Sequence, residues 1–327
     1  MSRAEFDEFV ALADSNHVVV RALEVILLLL RDTQNAPLRE WAEAALAAER
    51  ARITTAVTFL AEICRALKDH GLKVAVIKSL DHWPDLGSDL DLYTSENPRA
   101  VCKFMQTHFH ARMAPRSWGD RLAAKWNFFI PGLPEAVEIH MGRLGQTGEQ
   151  VAIASSLLER TRTVTACGRN FSVPSASDRI MLSTLQRMYR HFYFRLCDIV
   201  DTTTLADRGE IDYANLRTLA SVAGIWEGAA TYLVIVSDYL QMHRGTGLNL
   251  PKFVLDAARF GGDHIYYEKR FLRVPIMPQS ARLYGTQLAG VLGKGEWHNG
   301  ARLSLLPWLA TAAVVGQKLT GSDKGIW

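Results

Sequence analysis

The sequence is poor in cysteine, and what it has is scattered. Its 327 residues include four cysteines, Cys64, Cys102, Cys167 and Cys197, with no Cys-x-x-Cys pair among them. This scatter argues against a disulfide framework and against a zinc site with cysteine spacing, and it favours reduced thiols. We therefore predict a cytoplasmic protein.

Long hydrophobic runs are also lacking. The run Val18–Leu30 is interrupted by Arg21 and Glu24, and the run Leu303–Val315 contains Pro307. Because a membrane-spanning helix needs about 20 consecutive apolar residues, both runs are predicted to be buried helices. The acidic start of the chain lacks the basic start and the cleavage site of a signal peptide. No association with a membrane is expected.

An excess of charge of one sign is missing as well. The chain carries 37 Lys and Arg against 34 Asp and Glu, a formal net charge of +3. That excess is too small to indicate nucleic acid binding by itself. With 48% hydrophobic and 22% charged residues, the composition is that of an ordinary globular protein with one large domain or two moderate ones.

The pattern of apolar residues predicts an α+β fold in three parts. Residues 1–70 form a helical N-terminal lead, residues 71–174 a catalytic domain with a small mixed sheet, and residues 175–327 an all-helical C-terminal half. Strands are expected at Lys73–Ile77, Asp89–Thr94, Trp126–Ile130 and Ala136–His140, with a helix from Pro98 capped by Asn97 and a hairpin within residues 163–173. A long helix is expected from Ser177 to about Ala206. Further helices are expected at Tyr213–Ala223, Ala229–Met242, Pro251–Phe260, Ser280–Leu292 and Ala301–Leu319.

The most informative stretch is Asp89-Leu90-Asp91-Leu92, which follows a probable strand and a turn. Alternate residues of a strand face the same side, so Asp89 and Asp91 are expected to share one space. Two carboxylates held that close favour a bound cation, and Mg²⁺ prefers such oxygen ligands. A third carboxylate, Glu138, lies in another alternating stretch. A pair of acidic residues alone is more often a solvated turn, but three on two strands favour a metal-assisted phosphoryl or nucleotidyl transfer site.

The combined pattern resembles the DNA polymerase beta nucleotidyltransferase superfamily, and more narrowly its uncharacterised nucleotidyltransferase branch. The residues that carry the resemblance are Ile77-Lys78-Ser79, Asp89-Leu90-Asp91, Glu138-Ile139-His140 and Cys197-Asp198-Ile199. The resemblance spans roughly Arg52 to Asp207. Ser79 stands where the turn of that branch usually has glycine.

The resemblance implies a two-metal active site. Asp89 and Asp91 would bridge two Mg²⁺ ions, and Glu138 would bind the second ion and assist removal of the acceptor's proton. Lys78 and Ser79 would contact the β- and γ-phosphates. For Lys78, an exposed lysine at the end of a strand is an equal alternative. His140 would orient Glu138, with a structural strand histidine as the alternative.

The predicted helix Ser177–Ala206 carries a polar stripe. At 3.6 residues per turn, Arg187, Arg190, His191, Phe194, Asp198 and Asp201 fall on one face. We predict that Arg190 and His191 line the nucleotide cleft. Arg187 and Asp201 are assigned instead to a solvated face with internal ion pairs.

The sequence therefore predicts a Mg²⁺-dependent nucleotidyltransferase that moves a nucleoside monophosphate from an NTP to an acceptor and releases pyrophosphate. A small or biosynthetic acceptor is preferred, because no basic stripe supports RNA. Two alternatives stay open: a toxin-like or regulatory transferase that acts on tRNA or protein, and a non-catalytic scaffold that binds a partner.

Overall fold

The computed structural model describes residues 1–31, 35–309 and 311–312. These residues combine helices with small sheets, which confirms the predicted α+β class. The helices are α1 (Arg3–Ser15), α2 (Val19–Leu29), α3 (Ala36–Asp69), α4 (Pro98–His108), α5 (Trp118–Leu122), α6 (Val151–Leu157), α7 (Ala176–Gln186), α8 (Leu196–Asp207), α9 (Tyr213–Val222), α10 (Trp226–Arg244), α11 (Lys252–Leu255), α12 (Ala281–Gly293) and α13 (Trp297–Ser304). The strands are β1 (Ala75–Val76), β2 (Asp89–Thr94), β3 (Arg112–Met113), β4 (Lys125–Phe129), β5 (Ala136–Met141), β6 (Thr161–Ala166), β7 (Arg169–Pro174), β8 (Tyr193–Phe194), β9 (Tyr266–Glu268) and β10 (Phe271–Arg273).

The N-terminal part is helical, as predicted. At the start of α1, Ser2 and Glu5 form a capping box, in which each side chain bonds the other's backbone N–H. The side chain of Asn35 caps the 34-residue helix α3, and a proline lies in its first turn. Apolar side chains at helical spacing along α3, such as Ile53, Val57 and Leu60, are buried against the sheet and α2. This packing fixes α3 along one face of the sheet.

The central sheet has five strands in the order β1–β2–β5–β4–β3. Its β2 and β5 strands run parallel, and the other neighbouring pairs run antiparallel. The parallel register sets Asp91 beside Glu138, and the β4–β5 register sets Lys125 beside His140. Because side chains alternate along a strand, this register directs charged side chains from three strands to one face of the sheet.

The two faces of the sheet belong to different apolar clusters. Leu90 and Leu92 join the cluster that contains the N-terminal helices. Ile77 and Tyr93 join the cluster of the C-terminal helices. Asp91 and Tyr93 are two apart on β2, so the charged face is the one that the C-terminal helices cover. The sheet is therefore a middle layer, with its carboxylates directed toward the C-terminal helices.

The single long helix predicted from Ser177 to Ala206 is wrong. The chain instead forms α7, a π-helical turn over Arg187–His191, the strand β8, and then α8. Phe192 ends the π-helical turn in a left-handed conformation with φ of 54°. A tertiary contact overrides the local helical pattern here, because β8 pairs with β10 far along the chain. Ser175, and not Ser177, caps α7 with its side chain.

The C-terminal half is mainly helical but not helical throughout. Strands β8, β10 and β9 form a three-stranded antiparallel sheet that the sequence does not predict. The predicted helix at Pro251–Phe260 shortens to the single turn of α11. The helix predicted at Ala301–Leu319 begins earlier, at Trp297, and α13 ends at Ser304; the part of the predicted range after residue 312 lies outside the described residues. The short strand β3 and the helices α5 and α6 were also not predicted.

Within the described ranges, none of the helices combines the length and the apolar character that crossing a membrane requires. The run Val18–Leu30 corresponds mainly to α2, so the predicted helix is present, but it is buried on one side only. Its buried side includes Val20 and Leu23, while Val25 and Leu29 are exposed.

Candidate active site

A strained turn after β1 positions Lys78. Its backbone has φ of 61° and ψ of −55°, and Ser79 N donates a hydrogen bond of 2.6 Å to Ile77 O. These features define a γ-turn, a conformation that costs a non-glycine residue about 1–3 kcal/mol. The turn places the Lys78 ammonium in an ion pair with Asp91 and 3.4 Å from Glu138. Lys78 is therefore not an exposed strand-end lysine, and its side chain is only 16% exposed.

Ser79 ties this turn to β2. Its hydroxyl accepts a hydrogen bond of 2.7 Å from Asp91 N and donates one of 3.3 Å to Asp89 O. The side chain is buried. Because its N–H is used in the γ-turn as well, both donors of Ser79 are engaged within the protein. The serine that replaces the usual glycine thus fixes the relative position of Lys78 and the acidic strand.

Asp91, Glu138 and His140 form a compact group that we call the carboxylate cluster. One ligand atom from each lies within 4.8 Å of the others. His140 Nε2 is 2.9 Å from Glu138 Oε1, as expected if the imidazole orients that carboxylate. On the other side, Lys125 Nζ lies 2.9 Å from Glu138 Oε2 and 3.1 Å from Asp120 Oδ1. Glu138 is thus held from both sides.

The electrostatics of the carboxylate cluster keep Glu138 charged. Burial alone would raise the pKa of Glu138, but Lys78, the His140 hydrogen bond and Lys125 together hold it well below its usual range. Burial raises the pKa of Asp91; Lys78 opposes this effect and the Glu138 charge adds to it. Burial and the Lys78 charge lower the pKa of His140 to about 4, so the imidazole is neutral at pH 7. A neutral imidazole can donate its Nε2–H to Glu138 Oε1, which orients that carboxylate.

The carboxylate cluster has the ligand types of a divalent-cation site, and the Lys78 ammonium lies among them, 3.4 Å from Glu138 Oε1 and 3.5 Å from His140 Nε2. Two carboxylates and an imidazole are ligands that such ions accept in proteins. Among the described residues, Asp91 Oδ1 and His140 Nδ1 are buried without a hydrogen-bond partner, although Lys78 forms an ion pair with Asp91. Asp89 lies outside the cluster. It is exposed at the start of β2, where it borders a cavity that Asp91 and Glu138 also line.

A cavity of about 260 Å³ opens between the carboxylates and the segment that joins α7 to α8. Seven of the residues that the sequence assigns to the site line it together: Lys78, Ser79, Asp89, Asp91, Glu138, Arg190 and His191. His140 lies behind Glu138 and faces a smaller recess of about 40 Å³ that it shares with Lys78 and Arg190. The structure therefore brings all eight residues into one region.

Arg190 and His191 reach the cavity from the π-helical turn and not from a helix face. Burial, with the charges of Arg190 and Arg187, lowers the pKa of His191 to about 2, so His191 is neutral. Arg187 is buried and forms an ion pair of 2.7 Å with Asp198, and it also lines the cavity. The prediction that Arg187 lies on a solvated face is wrong, whereas an ion pair of Arg187 is present.

Asp201, the other residue assigned to a solvated face, is buried. It pairs with Arg21 of α2 at 2.8 Å and with His82 at 2.5 Å. These partners lie on distant parts of the chain, which the helical stripe could not indicate.

Several cavity residues were missed by sequence reasoning. Lys125 could have been found from the sequence. It lies two residues from Asn127, which is opposite Glu138 on the neighbouring strand, and residues two apart on a strand face the same side. His17 and Arg195 carry no local signal, since they come from the α1–α2 junction and the start of α8.

These features define an α+β protein with a polar cavity in which carboxylates and cations face each other. A family model described as uncharacterised nucleotidyltransferase matches residues 2–241, and the chain belongs to that family. Among solved structures, the chain is similar to an antigenic nucleotidyltransferase-like protein from Paracoccidioides brasiliensis, with 12% identity and a TM-score of 0.37. That match covers 63% of this chain and 94% of the other, and at this TM-score it carries no inference. No curated protein matches the chain.

Proposed function

We propose that this chain is an active, metal-dependent nucleotidyltransferase that transfers a nucleoside monophosphate from an NTP. The acceptor oxygen would attack the α-phosphorus, the bond from that phosphorus to the β-phosphate oxygen would break, and pyrophosphate would leave. The acceptor's proton would pass to a carboxylate of the cavity. The observation that carries this proposal is one cavity in which Asp89, Asp91 and Glu138 face Lys78 and Arg190.

The cations of the cavity would bind the triphosphate. Lys78 would act as a point charge, and Arg190 would offer a planar pair of donors to phosphate oxygens. His191, being neutral, would donate or accept one hydrogen bond without adding charge. Ser79 would act mainly by holding the turn, because its donors are engaged. In this proposal residues 71–174 supply the carboxylates and residues 175–327 supply Arg190 and His191.

Asp89, Asp91 and Glu138 would hold two Mg²⁺ ions, which supply charge neutralisation at the phosphates and activation of the acceptor hydroxyl. Lys125 and His140 would fix the two oxygens of Glu138 in place, since each contacts a different one at 2.9 Å.

A small acceptor suits the second cavity next to the first. The short helical turn Ser79–His82 is the wall between them: Ser79 and His82 line the first cavity, while Leu80 and Asp81 line the second. The second cavity measures about 470 Å³, within the usual range for small-molecule sites. Trp83 lines it, and its arginines are paired with carboxylates, Arg179 with Asp81 and Arg21 with Asp201, which favours an acceptor that combines an apolar part with polar groups.

The test is a screen of the four common NTPs with Mg²⁺ on the purified chain, with thermal stabilisation and pyrophosphate release as readouts. Stabilisation by at least one NTP only in the presence of Mg²⁺ is expected. If no NTP stabilises the chain at millimolar concentration, the proposal fails.

Glu138→Gln separates binding from chemistry. We expect nucleotide affinity within a few-fold of wild type and a fall in pyrophosphate release of at least about 100-fold, because the role of Glu138 is realised in the transition state. The exposed Glu159→Gln is the matched control. Unchanged activity in Glu138→Gln would remove Glu138 from the reaction.

A further inference from the structure

A second group of side chains that could bind a metal lies at the same cavity. His17, His82 and Cys197, which we call the His–Cys cluster, each offer one ligand atom within 4.8 Å of the other two. His82 Nε2 lies 3.9 Å from Cys197 Sγ, and the rings of His17 and His82 meet edge to face with centroids 5.4 Å apart. Three separate parts of the chain therefore converge on one point.

The spacing suits a tetrahedral ion. Zinc binds imidazole nitrogen at about 2.0–2.1 Å and thiolate sulfur at about 2.3 Å, which separates tetrahedral ligands by roughly 3.4–3.6 Å. The observed 3.9 Å between His82 Nε2 and Cys197 Sγ requires only a small contraction. Two imidazoles and one thiolate favour Zn²⁺ over Mg²⁺, because magnesium prefers oxygen ligands.

An independent observation comes from the partner of His82. Its Nδ1 lies 2.5 Å from Asp201 Oδ2, and Arg21 holds the other oxygen of Asp201 at 2.8 Å. Metal-bound histidines commonly donate their second nitrogen to a carboxylate, which fixes the ring and the tautomer. Here that arrangement turns Nε2 of His82 toward Cys197.

The other two ligands are also held in place. His17 has a φ of 53° in the junction between α1 and α2, a strained value for a residue with a side chain. The preceding Asn16 accepts hydrogen bonds from the backbone of the first residues of α8: its side chain bonds Leu196 N at 3.0 Å and its carbonyl bonds Cys197 N at 3.3 Å. The strained junction and the start of α8 are thus tied together, so His17 and Cys197 cannot move independently.

The charges around the cluster limit what it can bind. Arg195 Nη1 is 3.4 Å from His17 Nδ1, and this guanidinium competes with a cation for His17. The Cys197 thiolate and the Asp201 carboxylate supply the opposing negative charge. A weakly held ion would not overcome the arginine, whereas an ion that forms a thiolate bond can.

We propose that His17, His82 and Cys197 bind one Zn²⁺ ion with an open position toward the cavity. His17 and His82 line the cavity and Cys197 lies behind them, so the fourth position of a tetrahedral ion faces the space that water or substrate enters. Binding releases the thiol proton of Cys197, and the charge of the site becomes +1 before Asp201 is counted.

The experiment uses the full chain, purified without chelator after growth with added zinc. We expect about one zinc per chain, and Co²⁺ substitution should give the near-ultraviolet thiolate-to-cobalt charge-transfer band. Glu138→Gln should keep that band, because the carboxylate cluster contains no sulfur. Cys64→Ser, on α3, is the matched cysteine control and should also keep it.

Three variants decide the assignment. Cys197→Ser should abolish the band, and His17→Gln, at a half-buried position, should weaken Co²⁺ binding at least about 100-fold. Asp201→Asn should keep the band and weaken binding about 10- to 100-fold. Absence of the band in the wild-type chain, its persistence in Cys197→Ser, or unchanged Co²⁺ affinity in a folded His17→Gln would each overturn the proposal. Circular dichroism of every variant shows whether it has folded.

Discussion

The carboxylate cluster and the His–Cys cluster border the same cavity but are assembled in different ways. Asp91 and Glu138 lie on neighbouring parallel strands at matched register, and His140 is two residues further along the same strand. His17, His82 and Cys197 come from a helix junction, a short helical turn and the start of α8. The first cluster is a property of one sheet, whereas the second exists only once the N-terminal and C-terminal helices have packed.

The two clusters also differ in the charges that surround them. Lys78 and Lys125 contact the carboxylates directly and neutralise them. The His–Cys cluster faces the guanidinium of Arg195 instead. Oxygen ligands and lysine neutralisation suit an exchangeable hard ion that arrives with a nucleotide, while a thiolate beside an arginine suits only a tightly bound ion. One cavity would thus combine an exchangeable site with a permanent one.

The largest effect is expected from Asp91→Asn. The substitution removes one negative ligand from the carboxylate cluster, so affinity for an NTP with Mg²⁺ should fall at least about 100-fold. The fold should survive, because Lys78 keeps Glu138 at 3.4 Å as a partner. A thermal-shift titration with and without Mg²⁺ measures both properties.

The exposed Asp69→Asn, at the end of α3, is the matched control for Asp91→Asn. Asp89→Asn tests the rim of the same cavity, and a loss of nucleotide binding is expected there too. Wild-type MgNTP affinity in Asp91→Asn would remove the carboxylate cluster from nucleotide binding and leave the His–Cys cluster as the cavity's one candidate metal site among the described residues.

The largest effect on stability, as distinct from binding, concerns the ion pair that supports the His–Cys cluster. Arg187 and Asp198 pair at 2.7 Å with side chains about 3% exposed, and Asp198 directly follows Cys197. Arg187→Met leaves a buried carboxylate without its main partner, which costs about 3–5 kcal/mol of unfolding free energy. Urea denaturation measures it, and the exposed pair of Arg3 with Asp7 supplies the control Arg3→Met, at about 0.5 kcal/mol or less.

Arg187→Met also tests whether the His–Cys cluster depends on this ion pair. If α8 shifts when the pair is broken, Co²⁺ binding at Cys197 should weaken. A loss of stability below about 1 kcal/mol would mean that Asp198 keeps enough support from Arg195 N, which donates a hydrogen bond of 2.7 Å to it.

The sequence predicts the parts of the fold that local patterns control. Strand β2 has the predicted bounds, Asp89–Thr94, because its alternation and the preceding turn are both local. The helix predicted across Arg187–Arg195 fails because the pairing of β8 with β10 is a tertiary contact. A helical pattern is only a weak preference, and strand pairing far along the chain overrides it. The three-part division at residues 70 and 174 stays a prediction.

The candidate site divides in the same way. Asp89, Asp91 and Glu138 share a cavity because strand alternation and parallel pairing require it. Arg190 and His191 reach the cavity because the chain forms a π-helical turn at Arg187–His191, which the helical stripe did not predict. The His–Cys cluster could not be predicted, because the scattered cysteines argued against any zinc site and His17 lies outside every motif. Tertiary packing, which no periodicity encodes, brings these ligands together.

A smaller effect tests the positive electrostatic potential that Arg187 and Arg190 produce in the cavity. The pKa of His191 is lowered to about 2 by burial and by Arg190 and Arg187. Below pH 6.5 the unfolded chain therefore binds a proton that the folded chain does not, and stability falls as pH falls. His191→Gln removes this contribution. The stability difference, variant minus wild type, should therefore be about 1 kcal/mol more favourable at pH 5.5 than at pH 7.5.

Urea denaturation at the two pH values measures the change, with the exposed His243→Gln as control. An equal pH dependence in wild type and His191→Gln would mean that His191 takes up its proton in the folded state. The arginines would then exert a weaker field on the cavity than the structure indicates.

The smallest effect is expected from Gly87→Ala, which reaches the His–Cys cluster through one contact. A Cβ at Gly87 would lie 3.0 Å from Cε1 and 3.2 Å from Nδ1 of His17, so the ring must move by a few tenths of an ångström. We expect a stability change of about 1 kcal/mol or less and a few-fold loss of Co²⁺ affinity, because a metal site tolerates only small displacements of a ligand. Gly285→Ala is the control, since an added Cβ there meets nothing within 4 Å. Titration of the cobalt band decides the result: unchanged affinity in Gly87→Ala would mean that His17 is not a ligand, because the substitution displaces that ring directly.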